Sequence, residues 1–404
     1  MKEPLLYLCH RIPFPPNKGD KITTCNVLKF LSRHFDVYLG CFIDDQFDQR
    51  YINDVKALCA ETLFIPLNPS MARVKGLRAF LTGDPITVPY YSHKKMQNWV
   101  NQVITNQRIE KAFVYSGCMA QYLLAPPKPI HKVIHFADID SDKWRQYAHQ
   151  AKGIMRYVYH REHTTLETFE KSVADNFDIS CFISETEAAQ FKTMVSAPTK
   201  SKIQILENGI DCFYFSPDQP SVLSEHYSLE NQNYVVFTGA MDYRPNIDAV
   251  LWFVKNVWPQ VLARQPDSYF YIVGSTPPKA VLNLAQEKGV VVTGRVEDIR
   301  PYMQYAKAAI APMRMARGIQ NKILEAMAMA KPVLSSSIGM EGLEDYPTQY
   351  LSVEDAPEDI AHWIIEKLEN PALVATESRH WLEANFSWEA KLTPLLSYLG
   401  ESHE

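Results

Sequence analysis

The sequence predicts an α/β protein built from two Rossmann-like halves. The chain has 404 residues, which is long for one hydrophobic core and sufficient for two. Short apolar runs alternate with helix-forming segments roughly every 20–30 residues, a pattern typical of parallel sheets covered by helices. A connector near residues 205–212, which contains the turn dipeptide Asn208-Gly209, separates the two series.

The first half opens with a strand, a proline-rich loop with one glycine, a helix and a second strand. This order predicts a right-handed βαβ unit, and the sequence has no G-x-G-x-x-G dinucleotide fingerprint. The strands are predicted at residues 5–9, 36–42, 61–66, 112–115, 132–136 and 179–183, with a helix over 22–34 and a long amphipathic helical segment over 144–176. Ser184 is predicted to open a further helix.

The second half repeats the alternation. Strands are predicted at residues 234–239, 268–274, 290–293, 308–311 and 333–334, and helices at 247–259, 278–288, from 299, 319–330, 357–368 and 372–384. The final segment, NFSWEAKLTPLLSYL, carries an apolar stripe that favours a core role for the last helix.

Composition excludes several classes of function. The chain is 46% hydrophobic and 22% charged, as soluble globular proteins are, and its formal net charge of −5 argues against general nucleic-acid binding. No apolar run has the length of a signal peptide core or a membrane span. The seven cysteines form no C-x-x-C pair, so we expect reduced thiols in a cytoplasmic protein without a structural zinc site.

The run RMARGIQNKILEAMAMAKPVLSS is the stretch most suggestive of a ligand site. Gly318 heads the predicted helix, whose unpaired N–H groups and positive dipole end suit a phosphate. Lys322 and Glu325 are three residues apart and share a helix face, so the ammonium can hold a diphosphate and the carboxylate can accept from sugar hydroxyls. The alternative is an ordinary solvated Lys–Glu pair.

Acidic residues follow the strand at 132–136, in the sequence ADIDSDKW. Ligands of open α/β sheets bind beyond the carboxyl ends of strands, so Asp138, Asp140 and Asp142 are candidates to orient an acceptor hydroxyl or act as a base. The alternative is a helix N-cap formed by Asp140 or Ser141.

The segment at 144–171 is rich in basic and aromatic residues. Such a face favours either simple solvation or contact with an anionic acceptor or the inner membrane leaflet. The histidine spacings between residues 131 and 163 lack a carboxylate or cysteine framework, and no metal site is predicted.

The run KILEAMAMAKPVLSS resembles the nucleotide-sugar motif of the retaining GT-B glycosyltransferases of family four. Many members carry a second glutamate eight residues before Glu325, where this chain has Arg317. Over most of its length the chain is most similar to the sugar transferases of exosortase (PEP-CTERM) systems, through RIPFPPNKGDK, DIDSDKW, TGAMDYRPNIDAV, GIQNKILEAMAMAKPV and FSWE.

The resemblance implies a GT-B fold, with two Rossmann-like domains facing each other across a cleft. The acceptor-side domain would span residues 1–206 with a returning C-terminal helix at 386–404, and the nucleotide-sugar domain residues 207–385. The implied donor-binding residues are Gly19, Asp20, Gly239, Arg244, Gly294, Arg295, Gly318, Ile319, Gln320, Asn321, Lys322 and Glu325. The implied catalytic residues are Asp138, Asp140, Arg244 and Lys322.

The function implied is retaining, metal-independent transfer of a sugar from a nucleoside diphosphate, UDP or GDP above all, to a polysaccharide or lipid-linked acceptor in cell-surface glycan synthesis. No cofactor or metal is expected, and the enzyme would lie in the cytoplasm or at the inner face of the plasma membrane. Two alternatives stay open: a nucleotide-sugar 2-epimerase of the same fold, which needs acid/base groups and no acceptor, and a non-catalytic binding subunit.

Overall fold

The computed structural model describes residues 2–16, 18–68, 79, 83–218, 228–316, 319–343, 346, 351–370 and 375–400. The chain forms two compact units. Unit 1 contains Met1–Asn208 and Lys391–Glu404, and unit 2 contains Gly209–Ala390. The resemblance had placed the first division after residue 206 and the return at residue 386.

Unit 1 is built on a seven-stranded sheet in which all paired strands are parallel. Its strands are β1 (Glu3–Cys9), β2 (Phe35–Ile43), β3 (Glu61–Pro66), β4 (Lys111–Tyr115), β5 (His131–Ala137), β6 (Ile179–Phe182) and β7 (Ile203–Ile205). The spatial order is β3-β2-β1-β4-β5-β6-β7, so the order reverses between β1 and β4. Residues 5–9 of β1 are all buried, as expected for a central strand covered on both faces.

The helices of unit 1 cover this sheet. They are α1 (Gly19–His34), α2 (Ile52–Lys56), α3 (Thr87–Tyr90), α4 (Lys94–Asn106), α5 (Asp140–Gln150), α6 (Ile154–Asn176), α7 (Glu185–Met194) and α8 (Ala197–Lys200). The amphipathic helical segment predicted over residues 144–176 consists of two helices, α5 and α6, because the chain breaks at Ala151–Gly153, where Gly153 has φ 61°. Ser184 caps α7 by accepting from the Glu187 N–H, as predicted.

Unit 2 has a six-stranded parallel sheet of the same plan. Its strands are β8 (Tyr234–Thr238), β9 (Tyr269–Val273), β10 (Val290–Gly294), β11 (Ala308–Ala311), β12 (Val333–Ser335) and β13 (Leu351–Val353), in the order β10-β9-β8-β11-β12-β13. Each sheet thus has the Rossmann strand order, whose ligand crevice lies beyond the carboxyl ends of the strands where the order reverses. In unit 2 that point lies between β8 and β11.

The helices of unit 2 are α9 (Arg244–Asn256), α10 (Trp258–Arg264), α11 (Lys279–Leu282), α12 (Arg300–Gln304), α13 (Asn321–Ala328), α14 (Pro357–Glu369) and α15 (Thr376–Phe386). Helix α16 (Trp388–Tyr398) follows, and its residues from Lys391 belong to unit 1. There Lys391 Nζ lies 2.6 Å from Glu207 Oε2, and the Tyr398 hydroxyl donates to the Ile205 carbonyl at 3.2 Å. The predicted apolar stripe is confirmed by the burial of Leu392 and Leu395.

Two further observations concern the cysteines and the lengths of the helices. The seven cysteines all lie in the described residues, and no two of them form a disulfide bond. Among the helices of the described ranges, none has both the length and the apolar character that crossing a membrane requires.

Candidate functional site

A pocket of about 570 Å³ lies at the carboxyl edge of the unit 2 sheet, next to the point where the strand order reverses. Its size is typical of small-molecule sites. The lining comes from the segments after β8, β9 and β10 and from the start of α13: Thr238, Gly239, Ala240, Tyr243, Val273, Gly274, Ser275, Arg295, Val296, Ile299, Ile319, Gln320, Asn321, Lys322 and Glu325. The pocket therefore gathers seven of the twelve predicted donor residues: Gly239, Arg295, Ile319, Gln320, Asn321, Lys322 and Glu325.

Two glycine turns form one wall of the pocket. Gly239 has φ 153°, and a Cβ there would lie 2.7 Å from the side-chain nitrogen of Asn246. A Cβ on Gly274 would lie 1.8 Å from the Gly239 carbonyl oxygen. Both positions therefore require glycine, and the turns pack backbone against backbone, held by the Met241 N–H donating to the Ser275 carbonyl at 2.8 Å. Such a wall lets a ligand approach the main chain closely.

Helix α13 begins with an open N-terminus. The residue before it, Gln320, is extended, with φ −90° and ψ 106°, and its side chain makes no capping hydrogen bond. The helix runs from Asn321 to Ala328, so the predicted range of 319–330 is wrong at both ends, and Gly318 and Arg317 lie outside the described residues. The first-turn N–H groups and the positive dipole end nevertheless border the pocket, because Asn321 lines it.

Lys322 extends from the first turn of α13 toward the β8 turn. Its Nζ donates to Asn246 Oδ1 at 3.0 Å and to Gln320 Oε1 at 3.3 Å, and it lies 5.2 Å from the centre of the Phe237 ring. Burial lowers the pKa of Lys322 to about 8, although the Glu325 carboxylate opposes this shift. The ammonium is thus partly desolvated and is held by uncharged groups.

Glu325 lines the same pocket one turn further along α13. Burial raises its pKa to about 7, and the charge of Lys322 opposes the increase. These shifts do not fit the alternative of a solvated Lys–Glu pair. The arrangement offers one cation and one carboxylate to a ligand that carries both an anionic group and hydroxyls.

The other predicted residues of unit 2 lie near the pocket but differ in exposure. Arg244 is the first residue of α9, and its side chain is exposed. It is not among the described residues that line the pocket, whereas its neighbour Tyr243 is. Arg295 is exposed at the pocket's edge. Gly294 ends β10 with φ 68°, and a Cβ at this position would meet no other atom within 4 Å.

In unit 1, the loop after β1 carries a charged cluster around Asp20. Arg11 Nη1 lies 2.9 Å from Asp20 Oδ2, and His10 Nε2 lies 3.1 Å from the same oxygen. Burial alone would raise the pKa of Asp20, but His10 and Arg11 outweigh it and hold the pKa well below its ordinary value. Arg11 also pairs with Asp44 at 2.7 Å. The predicted residue Gly19 starts α1, with open space where a Cβ would lie.

Lys21 follows Gly19 and Asp20 and is the third position that corresponds to the resembling family's donor loop, but its ammonium is buried. The side chain is 2% exposed and Nζ lies 2.8 Å from Asp48 Oδ2 in a buried ion pair. Its burial is a consequence of the helical periodicity of α1, which turns this residue toward the sheet.

Asp138 and Asp140 lie together just beyond β5. Lys143 Nζ contacts both carboxylates, at 2.9 Å and 3.1 Å. Neither Asp140 nor Ser141 caps α5, because the N-cap position is Ile139 and Asp140 is already helical. Instead the buried Glu170 accepts from both the N–H and the hydroxyl of Ser141.

Several residues near the carboxyl edges of the two sheets were not predicted from the sequence. His10 and Arg11 follow β1 directly, a position that in a Rossmann-like sheet is itself a signal. Gly274 follows β9 in the same way. Asn246 gave no such signal, because its partners are 6 and 76 residues away in the chain. Among the described residues, no group of three or more His, Cys, Asp or Glu side chains has the arrangement of a metal site.

The chain is similar to several known proteins. Residues 232–370, which contain the whole pocket, match the family model described as glycosyl transferases group 1. An uncharacterized 44.6 kDa protein in the cps region of Klebsiella pneumoniae is 21% identical over 346 residues, covering 82% of each chain. A GDP-mannose-dependent monoacylated α-(1-6)-phosphatidylinositol monomannoside mannosyltransferase of Corynebacterium glutamicum is 26% identical over 239 residues, which cover 54% of this chain and 61% of that protein.

Among solved structures, the fold is similar to that of Anabaena HepE in complex with UDP. The TM-score is 0.61 with 15% sequence identity, over 99% of this chain and 100% of that chain. This likeness shows the fold, and the family match covers residues 232–370 of unit 2, where the pocket lies. Residues 232–370 are thus similar to the group 1 glycosyltransferases, and the chain has a fold of the GT-B type with two Rossmann-like domains.

Proposed function

We propose that the protein transfers a sugar from a nucleoside-diphosphate sugar to a polysaccharide or lipid-linked acceptor, with retention of the anomeric configuration. One observation carries the proposal. The unit 2 pocket places a partly desolvated ammonium, Lys322, beside an uncapped helix N-terminus and two close-packed glycine turns. This combination suits a diphosphate, because backbone N–H groups and a cation converge on one space.

The remaining pocket residues are assigned by their chemistry. Lys322 and the first N–H groups of α13 hold the diphosphate. Glu325, one turn deeper, accepts hydrogen bonds from hydroxyls of the ribose or the sugar. Arg295, Val296 and Ile299 line the part of the pocket formed after β10, where the nucleoside base would pack.

In the reaction, negative charge develops on the leaving diphosphate. Lys322 stabilises this charge from within the pocket. We assign a supporting role to Arg244, the first residue of α9, because its long side chain is exposed and it follows Tyr243, which lines the pocket. Fixed cations of this kind serve where other transferases use a metal ion, so the proposed reaction is metal-independent. Asp138 and Asp140 are assigned to the acceptor, with the Lys143 ammonium holding the two carboxylates close together.

The biological setting is proposed from the relatives. The Klebsiella protein is described by its place in a cps region, and the Corynebacterium enzyme acts on a lipid-linked mannoside. With the resemblance to exosortase-associated transferases, these favour cell-surface or exopolysaccharide synthesis at the inner face of the plasma membrane. Exposed Tyr147, Ile154 and Tyr157 on α5 and α6 accompany basic residues there and suit contact with an anionic lipid surface.

The test is a thermal-shift screen against UDP, GDP, ADP and dTDP and their common sugar conjugates, with and without EDTA. Binding to the folded state alone raises the melting temperature by mass action. HepE was solved with UDP and the Corynebacterium enzyme is GDP-mannose-dependent, so these two nucleotides are the first arms. We expect a shift with one nucleotide that EDTA leaves unchanged. A shift that EDTA abolishes would contradict metal independence, and no shift with any nucleotide would contradict the donor site.

Product analysis then separates transfer from isomerisation. The nucleotide sugar that shifts the melting temperature is incubated with lipid or glycan extracts and analysed by chromatography. The proposal expects acceptor-dependent release of the nucleoside diphosphate. A changed sugar still attached to the nucleotide, formed without acceptor, would instead identify an epimerase.

A further inference from the structure

Asn246 is a buried polar side chain that contacts two residues lining the pocket, Lys322 and Ala240. It is the third residue of α9, its exposed fraction is 5%, and both ends of its amide are used. Oδ1 accepts from Lys322 Nζ at 3.0 Å, and Nδ2 donates to the Ala240 carbonyl at 2.9 Å. One amide therefore connects the cation on α13 with the glycine turn after β8.

The partners fix the orientation of this amide. An ammonium can only donate and a carbonyl can only accept, so the oxygen must face Lys322 and the nitrogen must face Ala240. Aspartate at this position would have no donor for the Ala240 carbonyl.

The uncharged character of Asn246 also matters. The acceptors that the structure gives to Lys322 Nζ are Asn246 Oδ1, Gln320 Oε1 and, at 3.8 Å, Met313 Sδ. These groups orient the ammonium without cancelling its charge. A carboxylate in the place of the amide would form an ion pair with Lys322 and compete with an anionic ligand.

We infer that Asn246 is a positioning residue for diphosphate binding: it acts through Lys322, aiming its ammonium into the pocket while it fixes the Gly239–Ala240 turn. The inference rests on the proposed function of the pocket. It adds a residue outside the predicted donor set and explains why an amide, rather than an acid, occupies this place.

The experiment is a double-mutant cycle of Asn246→Ala and Lys322→Met, with calorimetric titration of UDP, GDP, ADP and dTDP. A residue that acts through another loses its effect when that other residue is removed. We expect Asn246→Ala to weaken binding about 5- to 20-fold in the wild-type background and less than about twofold in the Lys322→Met background, as charge-assisted hydrogen bonds of this kind imply. Equal losses in both backgrounds would overturn the inference and leave Asn246 as a support of the turn only.

Two further variants keep the test decisive. Asn246→Asp preserves the side-chain volume and replaces Asn246→Ala in the double-mutant cycle if the alanine variant does not fold. We expect it to weaken nucleotide binding at least as much as alanine does, because its carboxylate pairs with Lys322. Binding of wild-type strength by Asn246→Asp would overturn the inference. Asn256→Ala, on the same helix, removes an amide that donates to the Trp252 carbonyl and should leave binding unchanged.

Failure of the proposed function and failure of the inference about Asn246 give different results. If the wild-type protein binds none of the four nucleotides, the proposed function fails and takes the inference with it. If the wild-type protein binds one of them and the cycle is additive, the donor site stands and only the role of Asn246 is refuted.

Discussion

Replacing Lys322 by methionine tests the pocket most sharply, because it removes the charge and keeps most of the side chain's volume. A hydrogen bond between charged groups contributes about 1.5–3 kcal/mol, which corresponds to a loss of about 10- to 150-fold in nucleotide affinity. We expect the free energy of unfolding to change by less than about 1 kcal/mol. Two effects oppose each other: Asn246 loses a hydrogen-bond partner, which destabilises the fold, and the cost of desolvating the Lys322 ammonium disappears, which stabilises it.

The assay is calorimetric titration with the nucleotide found in the thermal-shift screen, together with urea unfolding of each variant. Lys331→Met is a matched control. The Lys331 side chain is half-buried, as that of Lys322 is, and desolvation lowers its pKa to about 8, but its ammonium donates to the Gln304 carbonyl and Lys331 is not among the residues that line the pocket. An affinity within twofold of wild type for the folded Lys322→Met protein, or an equal loss for Lys331→Met, would refute the reasoning.

Three further predictions concern other parts of the chain. Because burial raises the folded-state pKa of Glu325 to about 7, wild-type stability should fall as the pH rises from about 5 to 7. Glu325→Gln should remove this fall, which we expect to be about 1–3 kcal/mol between urea unfolding at pH 5 and at pH 7.5. A stability difference between wild type and Glu325→Gln that is the same at both pH values would contradict this prediction. Gly239→Ala should lower both the melting temperature and the nucleotide affinity, whereas Gly19→Ala, where a Cβ meets open space, should leave the melting temperature within about 2 °C of wild type. Equal changes in melting temperature for the two variants would contradict this prediction. Lys21→Met should cost about 3–5 kcal/mol by leaving Asp48 buried and unpaired, and adding Asp48→Leu should recover part of it; a Lys21→Met protein of wild-type stability would contradict this.

The strands could be predicted from sequence because buried parallel strands are short, almost purely apolar runs. The predicted strands of 61–66 and 308–311 match the observed residues, and the others differ mainly at their ends. The strands β7 and β13 were missed because each has three residues and only the first is buried, whereas β12, of the same length, is buried throughout. Helix ends were harder to predict, as α13 shows, because local backbone geometry at Gln320 decides where it starts.

The candidate site could be predicted only in part. Lys322, Glu325 and Gly239 sit in recognisable local patterns, and the structure brings all three to one pocket. Asn246 could not be predicted, since its role depends on contacts that only the folded sheet creates. Lys21 shows the opposite limit: proximity in sequence to a loop did not reveal that its side chain turns into the core.

The central claim is that unit 2 holds a diphosphate between the β8 turn and the start of α13. Hydrogen–deuterium exchange of the wild-type protein, with and without the bound nucleotide, tests it most directly because backbone N–H groups are the proposed ligands. The account predicts protection of peptides that cover residues 238–246 and 319–328. Nucleotide-dependent protection that leaves both segments unchanged would contradict it.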